Sequence, residues 1–138
     1  MISRILLAAF LTICSVTDLL KKQIYLKIII PFMAAGLGLF FIRGELSILE
    51  ETGGILLGVI LLLLARVSAE KIGYGDGLMV AVSGTFLGLF MNIRLLMCAL
   101  FISAIVSAVL LAVKKAGRHT ELPFAPFLLV SYAIMTIV

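Results

Sequence analysis

The feature that most constrains this chain is its near-continuous run of apolar residues, broken at intervals by short charged segments. Six stretches, at about 2–20, 24–42, 52–69, 77–92, 93–113 and 123–138, are rich in Leu, Ile, Val and Ala and poor in charge. A helix that crosses a bilayer needs ~20 mostly apolar residues, and most of the six approach or reach that length. A soluble chain cannot hide so much apolar surface. Hydrophobic residues make up 64% and charged residues 13%, against about 45–50% and about 25% in ordinary soluble domains. The mean hydropathy of +1.33 agrees. In lipid, backbone polar groups must be satisfied within the spanning element, so only helices or a closed barrel are allowed. The runs are continuous and do not alternate with period two, which selects helices. The expected fold is therefore an all-α integral membrane protein of about six spans, with residues 1–138 as a single transmembrane domain.

The charges define an orientation. Lys21, Lys22, Lys27, Arg66, Lys71, Lys114, Lys115 and Arg118 fall around the first, third and fifth loops, while only Arg4, Arg43 and Arg94 fall on the other side. Cytoplasmic loops carry the excess of Lys and Arg. Loops 1, 3 and 5 are thus expected in the cytoplasm, with both termini outside it, in the cytoplasmic (inner) membrane. The net charge of +4 is accounted for by this topology, and no nucleic-acid partner is expected. Cys14 and Cys98 both lie in apolar stretches and form no CxxC pair, so no metal site, redox pair or cofactor is expected. The first run has one basic residue, Arg4, but no small-x-small cleavage site, and Leu11-Thr12-Ile13-Cys14 is a poor lipoprotein box; it reads as a retained span. Pro31 is expected to kink the second span. Gly36, Gly38, Gly53, Gly54, Gly58, Gly84 and Gly88 point to close helix packing, with Gly84 and Gly88 forming a small-xxx-small pair.

Against this background the chain holds only two aspartates, Asp18 and Asp76. Asp18 closes the first span and Asp76 opens the fourth, so the topology puts both at the cytoplasmic surface. Packing spans 1 and 4 together would make a carboxylate pair. Two adjacent carboxylates cannot easily both ionise. One can then act as base on a water molecule while the other, protonated, donates to a peptide carbonyl oxygen. A simpler role for each is available, as a solvated helix end beside Lys21 and Lys22 for Asp18 and as a helix N-cap for Asp76. The surroundings of Asp76 favour the chemical role. In Gly73-Tyr74-Gly75-Asp76-Gly77 three glycines remove side-chain bulk around the carboxylate, as close approach of an extended peptide requires. Helix dipoles would make Asp76, at a helix start, the base and Asp18, at a helix end, the acid.

Gly73-Tyr74-Gly75-Asp76 matches the GxGD motif, and the chain resembles the type IV prepilin peptidase family of GxGD aspartic proteases. Asp18 is followed by Leu19-Leu20-Lys21-Lys22-Gln23-Ile24, with Ile24 where the family places the Ile of an Ile-Pro-Asn triplet. Leu122-Pro123-Phe124-Ala125-Pro126-Phe127 is similar to the family's Pro-Phe-x-Pro element before the last span. Tyr25-Leu26 depart from Pro-Asn, and Gly77-Leu78-Met79 depart from the stretch usual after the second aspartate. The resemblance implies a membrane aspartic endopeptidase that cuts the leader of a type IV pilin-like membrane precursor at the cytoplasmic face. Asp18 and Asp76 would be catalytic, with Gly73, Tyr74, Gly75 and Gly77 supporting the motif. The methyltransferase region of the larger enzymes, with its paired cysteines, is not seen, so the resemblance is to the short, Flp/Tad-like form, which cleaves without N-methylating. Glu70 and Glu121 are possible contacts for a basic leader, and His119 reads as a solvated loop residue. Two other functions fit the same topology: a proton- or cation-coupled transporter, disfavoured because the carboxylates sit at span ends and not at the midplane, and a non-catalytic assembly protein of a pilus or secretion system.

Overall fold

A computed structural model describes residues 1–44, 46–68, 73–114 and 122–138. The described residues form five helices: α1 (Ile2–Lys21), α2 (Leu26–Arg43), α3 (Ile48–Val67), α4 (Tyr74–Ala112) and α5 (Ala125–Ile137). By length and composition α1 to α4 could each cross a membrane. With 13 residues, α5 is ~20 Å long and shorter than the last stretch of 123–138 read from the sequence.

Local chemistry sets the helix ends. α1 stops at Lys22, which takes a left-handed conformation (φ 51°) and donates its amide to the Asp18 carbonyl. α2 stops at Gly44, also left-handed, where the missing Cβ removes the steric cost. α3 starts with a capping box: the Ser47 hydroxyl accepts from the Glu50 N–H, and the Glu50 carboxylate accepts from the Ser47 N–H, both at 3.2 Å. α2 continues through Pro31 without losing its helical assignment.

The 39 residues of α4 are not one rod. Gly88 sits at φ 74°, ψ 178° and breaks the helix. Beyond it, the Asn92 side chain donates to the Val80 carbonyl at 2.9 Å. Twelve residues of unbroken helix would separate these two by ~18 Å, so the chain turns sharply back on itself at Gly88. The apolar stretches 77–92 and 93–113 put this boundary four residues later, at Asn92. Asn92 is instead fully buried and is the residue that holds the turned segment. The Gly84/Gly88 pair is divided in the same way: Gly84 packs against Gly54 of α3, whereas Gly88 makes the break.

α3 and the first half of α4 run antiparallel and share the largest interface in the molecule. A β-carbon at Gly54 would lie 2.7 Å from the Gly84 carbonyl oxygen, Gly58 abuts Ala81, and Gly77 abuts Leu62. Small residues let the two backbones approach, which is how helices associate in lipid, where apolar burial gives little drive. α1 and α5 complete the bundle. Leu7, Phe10, Leu11 and Cys14 of α1 meet Met79, Val80 and Val82 of α4 and Ala125, Leu128 and Tyr132 of α5 in one core. Large apolar side chains such as Leu63, Phe101 and Ile105 point outward, as a lipid-facing surface requires.

Candidate active site

One end of the bundle gathers the last turn of α1, the loop into α2, and the first turns of α4 and α5. Asp18 is held there with 8% of its surface exposed. It is not a solvated helix end: Lys21, which could have neutralised it, lies over the ring of Tyr25, 5.6 Å from its centroid. The Asp18 carboxylate oxygen Oδ2 accepts a hydrogen bond from the backbone N–H of Ala125 at 3.2 Å. Ala125 is the first residue of α5 and lies inside Pro123-Phe124-Ala125-Pro126. The first and third of the sequence elements are therefore in direct contact, 107 residues apart.

Asp76 is the third residue of α4, after the N-cap Gly73. Its amide donates to the Gly73 carbonyl at 3.2 Å. Its carboxylate turns back toward Gly73, where a β-carbon would lie 3.2 Å from Oδ2. The carboxylate is half-buried and close enough to Asp18 for the two to interact through charge.

The glycines of the motif divide by neighbour. Gly75 is packed against Ile24 from the α1–α2 loop, where a β-carbon would lie 2.7 Å from Cδ1 and 3.1 Å from Cβ. Gly77 is buried against Leu62. Gly73 and Tyr74 remain exposed. The Gly75–Ile24 contact ties the α4 turn to the loop that follows Asp18 and registers the two aspartate-bearing segments on each other. Glu70 and Glu121 lie outside the described residues, as does His119.

The structure changes one electrostatic expectation. From the sequence, Asp18 faced only the negative end of its own helix. In the fold its carboxylate also accepts from the first N–H of α5, while Asp76 lies in the first turn of α4. Each aspartate is thus set at a helix N-terminus, and the dipole no longer separates an acid from a base.

Three polar features were not legible in the sequence. The Ala125 donor belongs to the backbone, and no side chain announces it; the flanking prolines were the available sign. Asn92 forms a buried network in which the Ser83 hydroxyl lies 2.6 Å from its Oδ1, and its Nδ2 donates to the Gly54 and Val80 carbonyls. Glu51, in the first turn of α3, is 3% exposed, and its Oε1 has no hydrogen-bond partner among the described residues.

Comparison with curated proteins and with solved structures gave no match. The profile of the type IV leader peptidase family matches residues 5–112. That stretch contains both aspartates and the GxGD turn, and it stops short of the Pro-Phe-x-Pro element. It covers more than three quarters of the sequence, and the chain accordingly belongs to the type IV leader peptidase family.

Proposed function

We propose that the protein is a membrane aspartic endopeptidase, a single transmembrane domain over residues 1–138, that removes the leader of type IV pilin-like precursors. The observation that carries this reading is that the segments bearing Asp18 and Asp76 are packed on each other at one end of the bundle, through the Gly75–Ile24 contact, in a chain of this family. Six apolar helical segments, counting the two halves of α4 separately, lie in the inner membrane, with the aspartates at the cytoplasmic face.

In the proposed reaction one carboxylate takes a proton from water as its oxygen attacks the scissile carbonyl carbon, and the other donates a proton to the carbonyl oxygen. Collapse of the resulting gem-diol breaks the C–N bond, with a proton passing to the leaving amine. The roles of base and acid belong to the pair, because both groups sit at helix N-termini. The exposed edge at Gly73 and Tyr74 is where a peptide would be laid against Asp76. Gly75 and Gly77 support the turn from behind, through Ile24 and Leu62. Glu70 and Glu121 remain the proposed attraction for a basic leader. No cofactor or metal is needed for this chemistry.

The test is co-expression with a pilin-like precursor and measurement of its size on a gel. Wild type shortens the precursor. Asp18→Asn and Asp76→Asn each lower the cleavage rate by about 100-fold or more, the scale of acid–base participation. Precursor left uncut by wild type overturns the peptidase reading, and cleavage that survives either substitution overturns the paired mechanism.

A further inference from the structure

The Asp18 carboxylate makes one hydrogen bond among the described residues, and its donor lies on neither of the aspartate-bearing helices. The first turn of α5 shows why that donor is available. The first four N–H groups of a helix have no partner within it. In α5, Phe127 and Leu128 donate back to the Phe124 carbonyl at 3.0 and 3.2 Å. Pro126 has no N–H. Ala125, fully buried, is left as the donor of that turn with no partner inside the helix, and it donates to Asp18 Oδ2. α5 is fixed to α1 at a second point, where the Tyr132 hydroxyl donates to the Arg4 carbonyl at 3.1 Å, and Leu128 lies in the shared core between them. A buried backbone donor on an anchored helix cannot rotate away as a side chain can. It holds one carboxylate oxygen and leaves Oδ1 for the reaction.

Resting on the reading of Asp18 as a catalytic carboxylate, we infer that the Ala125 backbone N–H is the positioning donor that sets its orientation, and that the Pro123–Pro126 segment serves to present it. The prolines bracket the donor: Pro126 removes the competing N–H beside it, and its fixed φ suits the first helical turn. The side chain at 125 carries none of this role, so any small residue with an N–H performs it.

The experiment replaces the Ala125 amide by an ester, through incorporation of lactic acid at position 125 of the full chain synthesised into lipid nanodiscs. The ester removes the donor and keeps the shape. Turnover of a pilin-like precursor falls by about tenfold or more with KM unchanged, as loss of alignment at a reacting group predicts. Ala125→Gly, which keeps the donor, retains turnover. So does an ester at Val130, which weakens α5 without touching Asp18. Independently of any cleavage, the Ala125 amide proton in a spectrum of ¹⁵N-alanine-labelled protein shifts upfield in Asp18→Ala. A wild-type chain that leaves precursors uncut overturns the proteolytic reading. A chain that cuts, and cuts equally fast with the ester at 125, overturns the positioning role alone. An Ala125 amide unmoved by Asp18→Ala overturns it whether or not any precursor is cut.

Discussion

At the scale of single residues, the polar groups inside the bundle differ in how well they are satisfied, and their substitutions should differ in sign. Asn92 serves Ser83, Gly54 and Val80 at once. Asn92→Leu strips these partners in a buried place and should destabilise by about 1–3 kcal/mol. Glu51 is equally buried but leaves Oε1 without a partner. Glu51→Leu removes that uncompensated group and should hold or raise stability, by up to about 1–3 kcal/mol. Thermal unfolding in detergent reads both, and a strongly destabilised Glu51→Leu would show that the carboxyl has a partner after all. Neither residue could be ranked from the sequence. Polarity alone does not tell a satisfied buried group from a hydrated one.

At the scale of elements, the decisive contact for the site is between a loop and a turn. Gly75 accepts Ile24 because it has no Cβ; a methyl there would stand 2.7 Å from Ile24 Cδ1. Gly75→Ala should lower cleavage by about tenfold or more, the scale of a misplaced reacting group. Shortening the neighbour in the double variant Gly75→Ala with Ile24→Ala should restore part of the loss, and no recovery would mean that the glycine acts in some other way. The α3–α4 interface is less forgiving, since the neighbour of Gly54 is backbone and cannot step aside. Gly54→Leu should cost upwards of about 1–3 kcal/mol by overpacking, measured as loss of folded protein on heating. The GxGD glycines were legible as a group in the sequence. Their division into packed (Gly75, Gly77) and open (Gly73) was not, because it depends on where Ile24 and Leu62 arrive.

At the scale of the whole molecule, two ends can be told apart. Ser3, Arg43 and Gly88 lie at one, where the Arg43 guanidinium donates to the Ser3 hydroxyl; Asp18, Ile24, Gly75 and Ala125 lie at the other. The distribution of Lys and Arg predicts that the second end faces the cytoplasm. In a chain freed of Cys14 and Cys98, single cysteines at Lys22 and Lys114 should react with an impermeant maleimide only from the cytoplasmic side, and one at Arg43 only from the opposite side. The reverse pattern would invert the bundle and remove a cytoplasmic aspartate pair.

Apolar runs, charges and the glycine turn are enough to read a helical, membrane-embedded chain, the place of most of its helices and two aspartates at one end. Each of these follows from a local or additive property: apolar run length, the counting of charges, a glycine-rich turn. Tertiary structure alone decided that the fold-back between the fourth and fifth segments falls at Gly88 and that Ala125 donates to Asp18. A glycine that packs and a glycine that breaks a helix are the same letter, and only the φ of 74° at Gly88 separates it from Gly84. A backbone N–H is present at almost every position, and only the path of α5 decides which one reaches a carboxylate 107 residues away.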